Sequence, residues 1–446
     1  MLSQSKIRSL ILFLGDAAVL YFSLFLTLIL RYGWFRLGEQ WAGHWRPFSI
    51  IFGLWIIIFY INGLYDPKKL KIGSGFGGFY SAGLITGTSL AALFFYLIPY
   101  FGITPKTNLF ILIFIFGLLD YWARKFLNKL FISKGFQTKL LFTGSDTTTA
   151  ELIGILAKNP QLGYQTKLWL KTGLKNKNVD EVKKIIKDEE IDSIILSPEI
   201  QNNPENAKLI YRLISSGTSV TGLNALYESA LQKIPLAIME ENWLMETAAG
   251  KQKFIDIIKR MEDLTIAAIA LAVALPVSIF LLPVIALISG FPIFYKQKRM
   301  GKNEKEFWIY KLRTMRLNAE AEGPQWSSGK NDERIAPLGG FLRKTHIDEI
   351  PQLYNILKGE LSFVGPRPER PEFVKPLKEQ VPFYEMRHLI KPGITGWAQI
   401  NYRYGSSIED AYQKLQYDLY YLKNRSFFLD ISIILKTIKM IFISHG

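Results

Sequence analysis

The chain has 446 residues, a formal net charge of +16 and 49% hydrophobic residues. The length suggests two or three domains, and the apolar residues are clumped, so membrane segments account for them better than one large soluble core. There is no cysteine, which excludes disulfides, thiol nucleophiles and cysteine-ligated zinc; the four histidines (His44, His346, His388, His445) have no metal-ligand spacing. Any metal is then expected to be a hard ion held by carboxylates and phosphate. Lys and Arg flank the apolar runs, where the positive-inside bias and anionic headgroups explain them, so no nucleic-acid partner is expected.

Four apolar runs come first: Leu10–Leu30, Phe48–Tyr65, Phe79–Phe101 and Leu109–Trp122 with its flanks. Each approaches the roughly 20 residues a helix needs to cross a bilayer. No small-residue cleavage site follows the first run, so no cleavable signal peptide is expected. Lys6 and Arg8 precede it, Lys68, Lys69 and Lys71 separate the second and third, and Arg124, Lys125, Lys129 and Lys134 follow the fourth. That bias puts both ends of the bundle on the cytoplasmic side, although Arg31, Arg36 and Arg46 blur the first outer loop. Asp16 lies inside the first run and is expected to make a packing or headgroup contact, with no partner evident.

From Thr138 the pattern turns to soluble α/β. Strands are predicted at Lys139–Phe142, Lys167–Leu170, Ser193–Leu196 and Ser219–Thr221, and helices at Ala150–Ala157, Val179–Ile186 and Ala207–Ser215. This alternation predicts a doubly wound parallel sheet. The first turn, Thr143-Gly144-Ser145-Asp146-Thr147-Thr148, keeps one glycine of a Gly-x-Gly-x-x-Gly dinucleotide turn. A Ser/Thr-rich turn before a helix could still hold an anion, but a structural or regulatory module without nicotinamide is favoured.

Leu264–Ser289 is apolar enough to span a membrane, yet Pro276 and Pro283 interrupt it. Lys251, Lys253, Lys259 and Arg260 precede it, and Lys296, Lys298, Arg299 and Lys302 follow. Basic clusters on both sides predict a helix broken near Pro276 that enters one leaflet and returns, in preference to a kinked crossing helix. Further on, Phe427–Phe442 reads as an amphipathic helix, suited equally to a membrane surface or to a core.

The chemistry-bearing residues lie after this hairpin. Tyr310–Arg316 alternates apolar and basic residues and would present Lys311 and Arg313 to one side. Arg343–Leu353 sets the adjacent carboxylates Asp348 and Glu349 among basic residues, and Gly365-Pro366-Arg367-Pro368-Glu369 follows. Such a mixture suits work on phosphate, with cations neutralising the non-reacting oxygens and a carboxylate binding metal or attacking phosphorus. Taken singly, each piece has a plainer reading: Thr345 and Asp348 have capping-box spacing, Arg343 and Lys344 could be a solvated face, and Gly-Pro-Arg-Pro a turn.

Residues 254–446 resemble the bacterial sugar transferases, membrane enzymes that move a sugar 1-phosphate from a nucleotide sugar to polyprenyl phosphate. The likeness rests on Lys311–Met315, Arg343–Leu353, Gly365–Glu369 and Lys391–Asn401. The helices and α/β module ahead of them resemble the long-form members that begin exopolysaccharide, capsule or O-antigen units. The resemblance implies a multidomain membrane protein: a four-helix transmembrane domain at 1–130, a Rossmann-like α/β domain at 131–248, and a mainly α monotopic catalytic domain at 249–446 with re-entrant helix 264–289. It implies Asp348 as nucleophile, Glu349 as the acid holding Mg²⁺ with Asp348 beside it, and Lys311, Arg313, Arg343 and Arg367 as substrate-binding cations. The implied partners are a nucleotide sugar, UDP-linked, polyprenyl (undecaprenyl) phosphate and membrane lipid; a homodimer through the extra domains is compatible. The implied location is the bacterial inner membrane, multi-pass, with soluble domains on the cytoplasmic side. Two departures stand out: Leu275, not serine, precedes Pro276, and His346 takes a position where small residues are usual and is expected to fill space. Alternative readings are a membrane-tethered NAD-dependent nucleotide-sugar dehydratase or epimerase and a non-enzymatic polysaccharide-assembly scaffold.

Overall fold

The computed structural model describes all residues except 1–3, 67–75, 99–105, 175–177, 240–242, 244–251, 318, 320–333, 403–404, 406 and 444–446. Lys68, Lys69, Lys71, Lys251 and His445, used above, lie outside the described residues. The chain divides into two compact units, Met1–Leu231 and Gln232–Gly446.

The first unit opens with α1 (Gln4–Tyr32), α2 (Leu37–Ile61), α3 (Phe76–Leu97) and α4 (Lys106–Ile132). Leu20, Leu24 and Leu28 of α1 pack with Phe48, Phe52 and Trp55 of α2 and with Leu112 and Phe116 of α4. Glycine allows the closest approach: a Cβ at Gly87 of α3 would overlap the Trp55 indole. By length and composition α1, α2 (from Trp34) and α3 can cross a membrane. The fourth helix differs from its expected apolar run, because its C-terminal half carries Asp120, Arg124, Lys125 and Lys129. Two of these charges, Asp120 and Arg124, are buried, and Arg124 answers for Asp16, which is buried with partners rather than set against lipid. Its carboxylate pairs with the Arg124 guanidinium and accepts from the Tyr65 hydroxyl at 2.6 Å. Arg124 also donates to Asp120 at 2.9 Å and to the Leu64 carbonyl at 2.9 Å. Arg8, counted above as a flanking charge, is likewise buried and donates to the Gln161 and Phe136 carbonyls at 2.8 and 2.7 Å.

The module that follows has strands β1 (Thr138–Thr143), β2 (Tyr164–Leu170), β3 (Ser193–Leu196) and β4 (Ser219–Gly222), in the order β2-β1-β3-β4. All pairs are parallel, with helices α5 (Thr147–Lys158), α6 (Val179–Asp188) and α7 (Pro204–Ser215) in the crossovers, as the alternation predicts. The strand order reverses between β1 and β3, the place where such sheets bind ligands. Here it is closed. Gly144 has φ 96°, and a Cβ on it would overlap the Ser197 side chain. Asp146 caps α5, accepting from the Thr149 N–H at 2.7 Å. A carboxylate therefore holds one of the N–H groups that an anion would use at this turn.

The second unit begins with residues packed on its own core (Ile234, Leu236) and the 38-residue helix α8 (Gln252–Ser289). The helix continues through Pro276 and Pro283, so no loss of helix marks the expected break. The hydroxyl missing before Pro276 is supplied two residues after it, where Ser278 donates to the Ala274 carbonyl at 2.7 Å. Both ends of α8 are tied to the same unit. At the first, Asp256 pairs with Lys302 and Arg425 at 3.0 and 2.8 Å, Arg260 donates to the Ile356 and Leu357 carbonyls, and Asp263 accepts from Ser362. At the other, Arg313 donates to the Ser289 and Gly290 carbonyls, and Ile285 packs with Leu312 and Leu342. Between them Val273, Leu275, Ile279 and Phe280 are exposed.

An antiparallel hairpin, β5 (Phe294–Met300) and β6 (Glu306–Leu312), packs Phe307 and Ile309 with Ala267, Leu353, Ile356 and Leu361. After it come α9 (Gly339–Thr345), a 3-10 turn (Ile347–Glu349), α10 (Gln352–Lys358) and β7 (Ser362–Val364). Strand β8 (Gly393–Thr395) pairs in parallel with β7. The Lys391–Asn401 stretch contributes to the core, with Trp397 packed among Leu415, Leu419 and Ile433, while Gly393 and Ile394 also line a small void beside Lys311, Glu349 and Arg367. The amphipathic helix predicted near the end runs Phe427–Ile443; it buries Ile433 and Asp430 while exposing Phe428.

Candidate active site

A cavity of about 610 Å³ in the second unit is walled by the hairpin, the turn after α9 and the Gly365–Glu369 loop. Among the described residues it is lined by eight cations (Arg299, Lys311, Arg313, Arg316, Arg334, Arg343, Arg367, Arg370) and three carboxylates (Asp348, Glu349, Glu369). Every candidate site residue named from the sequence is therefore on one cavity wall or another.

The local chain path explains the acid pair. Helix α9 stops at His346, whose left-handed backbone (φ 55°, ψ 15°) turns the chain out of the helix. The next three residues form a 3-10 turn, with three residues per turn rather than 3.6, and Asp348 and Glu349 both face the cavity. The capping-box reading fails here. Thr345 donates back to the Phe341 and Leu342 carbonyls at 2.9 and 3.2 Å, and Asp348 caps nothing. His346 does not fill space: its ring is about half exposed, lines the cavity and stands 3.8 Å from Glu349.

The two acids sit in unlike fields. Glu349 is mostly buried, which opposes its charge, but Lys311 at 2.8 Å, His346 and Arg367 at 3.6 Å outweigh burial and hold its carboxyl well below the ordinary range. Asp348 is 5% exposed; burial raises its carboxyl above the ordinary range against the pull of Lys311, and Glu349 adds to the rise. The Glu349 charge in turn raises the His346 imidazole. One carboxylate is thus committed to its cations, while its neighbour has no ion pair within 4 Å among the described residues.

The cations divide as well. Lys311 reaches the cavity because it shares a strand face with its cross-strand partner Tyr295. Arg343 donates to the Thr314 hydroxyl at 2.8 Å and is held at the rim. Arg313 is largely occupied by the carbonyls at the end of α8, where a cation also suits the helix dipole. Sequence reasoning missed Arg299, counted only as a flanking charge; burial and the nearby Arg367 push its guanidinium down to about 10. Its strand alternation with Lys311 was the available signal. Among the described residues no three His, Asp or Glu side chains gather as a preformed metal site. The two or three carboxylates present suit Mg²⁺ instead, which keeps waters and takes its other ligands from substrate phosphate.

Residues 254–444 match the family model described as bacterial sugar transferase. The chain is 41% identical over 189 residues to a UDP-N-acetylgalactosamine-undecaprenyl-phosphate N-acetylgalactosaminephosphotransferase of Aeromonas hydrophila, covering 42% of this chain and 44% of that one. It is 41% identical over 194 residues to an uncharacterised sugar transferase of Bacillus subtilis, covering 43% of this chain and 90% of that one. It is 33% identical over 267 residues to a UDP-glucose:undecaprenyl-phosphate glucose-1-phosphate transferase of Xanthomonas campestris, covering 59% and 53% respectively. Because nine-tenths of the Bacillus subtilis sugar transferase is matched at 41% identity, and residues 254–444, covered by the family model, contain the cavity and its acid pair, the chain belongs to the bacterial sugar transferase family.

Proposed function

We propose that this protein transfers a sugar 1-phosphate from a UDP-sugar to undecaprenyl phosphate, giving undecaprenyl-diphosphate sugar and UMP. The observation that carries this reading is the acid pair set in a strongly cationic cavity, which suits a diphosphate. In the first step an Asp348 carboxylate oxygen bonds to the β-phosphorus. The bond from that phosphorus to the bridging oxygen breaks, and UMP leaves with that oxygen. In the second, an oxygen of undecaprenyl phosphate bonds to the same phosphorus and the aspartyl oxygen leaves, restoring the carboxylate. Lys311, Arg343 and Arg367 neutralise the diphosphate oxygens and hold the phosphorus in line. Mg²⁺, held by Glu349 with Asp348 beside it, would neutralise charge on the diphosphate.

The lipid acceptor requires a site at the membrane. The apolar middle of α8 and the attachment of both its ends to one unit support the re-entrant reading, with the cavity at the cytoplasmic leaflet of a bacterial inner membrane. The closed turn at Gly144–Asp146 weighs against a nicotinamide enzyme. Exchange of labelled UMP into the UDP-sugar, without lipid, tests the covalent step: Asp348→Asn should abolish it, and wild-type exchange in that variant removes Asp348 from the nucleophile role. Accessibility labelling that put the two flanks of Leu264–Ser289 on opposite sides of the bilayer would reject the topology.

A further inference from the structure

The Gly365–Glu369 loop is anchored in an unusual way. Pro366 and Pro368 have no N–H, so beyond the Gly365 N–H, which donates to the Thr395 carbonyl at 2.9 Å, the loop is held mainly through its carbonyls. Four in succession are engaged: Pro366 O accepts from Gly393 N at 2.9 Å, Arg367 O from the Arg387 guanidinium at 3.0 Å, Pro368 O from Arg299 at 3.1 Å, and Glu369 O from Met300 N at 2.9 Å. Arg299 also lines the cavity and is placed to meet substrate itself. Arg387 is different. It lies outside the main cavity, against a void of about 40 Å³ that Arg367 and Glu369 share from their other side.

Arg387 is buried and fixed at both edges, donating to the Tyr384 hydroxyl at 2.5 Å and pairing with Asp418 at 2.9 Å. Its remaining bond runs to the carbonyl of the one residue in the loop whose side chain approaches Glu349, at 3.6 Å. A guanidinium so immobilised sets the peptide from which the Arg367 side chain projects. We propose that Arg387 is a positioning residue: from behind the cavity it pins the Arg367 carbonyl and so aims the Arg367 guanidinium at the diphosphate. This rests on the reading of Arg367 as a diphosphate-binding residue.

A double-mutant cycle on the full chain, with UDP as the probe and its Kd as the readout, separates the two claims. Arg367→Ala should raise the UDP Kd about tenfold or more, the worth of one charge-assisted bond. Arg387→Met/Asp418→Asn removes both members of the buried pair together, leaving no charge stranded, and should also weaken UDP about tenfold. Combined with Arg367→Ala it should add less than about twofold, because the group it positions is gone. Asp418→Asn alone keeps a side-chain oxygen that can accept from Arg387 beside its bond to the carbonyl, and should leave the UDP Kd within about twofold of wild type. Fully additive losses, or a tenfold loss in Asp418→Asn alone, would mean a structural role and overturn the proposal. If Arg367→Ala weakens UDP and the Arg387 variant does not, the positioning role alone fails. If Arg367→Ala leaves UDP affinity unchanged, the reading of Arg367 fails and takes this inference with it.

Discussion

Replacing Asn355 with leucine tests the strap that holds two walls of the cavity together. Asn355 is fully buried; its Nδ2 donates to the Trp308 carbonyl at 2.7 Å and to Glu360 at 3.0 Å, and its Oδ1 accepts from the Tyr310 N–H at 3.3 Å. One side chain thus completes the free edge of β6, the strand that carries Lys311, from the helix that follows Glu349. Leucine keeps the same branching of heavy atoms, though its methyl groups are bulkier, so any overpacking adds to the polar loss. The Trp308 carbonyl and the Tyr310 N–H, however, lose these partners at a fully buried side chain. At about 1–3 kcal/mol for each buried unsatisfied group, the variant should lose roughly 4 kcal/mol. For a unit of this size that corresponds to a fall in Tm of roughly 8–16 °C. Tryptophan-fluorescence thermal unfolding of the detergent-solubilised chain reads it directly. Asn355→Asp keeps the acceptor for Tyr310 but loses the donor and faces Glu360, so it should be no more stable. A fall of less than about 2 °C in Asn355→Leu would refute the reasoning, because the edge groups would then have other partners.

Other consequences follow from the same geometry. His388 is buried, and burial with Arg387 nearby pushes its imidazole from 6.5 down to about 4. Its neutral form is favoured on folding, so the associated stability is full above pH 6.5 and is lost as the pH falls towards 4, by about 3 kcal/mol; Tm against pH should flatten in His388→Phe. In the proposed transfer the raised Asp348 carboxyl would set an acid limb above the ordinary carboxylate range, so lipid-free UMP exchange should decline as pH falls through it. Glu349, held low by its cations, should stay ionised through that limb, and Lys311→Met should bring its titration up into the profile. A Cβ at Gly393 would overlap the Gly365 nitrogen and lie 2.6 Å from the Val364 carbonyl carbon, backbone that cannot swing aside. Gly393→Ala should therefore cost on the order of 3 kcal/mol and weaken UDP binding, read from Tm and Kd together. Asp16→Ala leaves Arg124 without one of its buried carboxylates and should destabilise the first unit by about 3–5 kcal/mol; an unchanged thermal transition would mean that Asp120 suffices.

Much of this protein was legible as pattern. Period and length gave away the apolar helices and the alternating module, whose four strands lie within a few residues of where alternation puts them, because local hydrophobic spacing is set by helix and strand geometry alone. The acid pair and its nearest cations were legible too, since phosphate chemistry restricts residue types over short stretches. What depends on contacts between distant parts of the chain was not. Asp16 acquired its partner from a helix 108 positions away, and no spacing rule links the two. Whether Asp348 caps a helix or faces a cavity turned on the backbone of His346, where one left-handed residue converts a helix into a 3-10 turn. Arg299 counted only as a charge flanking an apolar run, and nothing singled out Arg387, until folding brought both to the carbonyls of the Gly365–Glu369 loop. Residue order sets which chemistry is available; folding sets which groups share a cavity and how each carboxyl titrates, because burial and charge act through space and not along the chain.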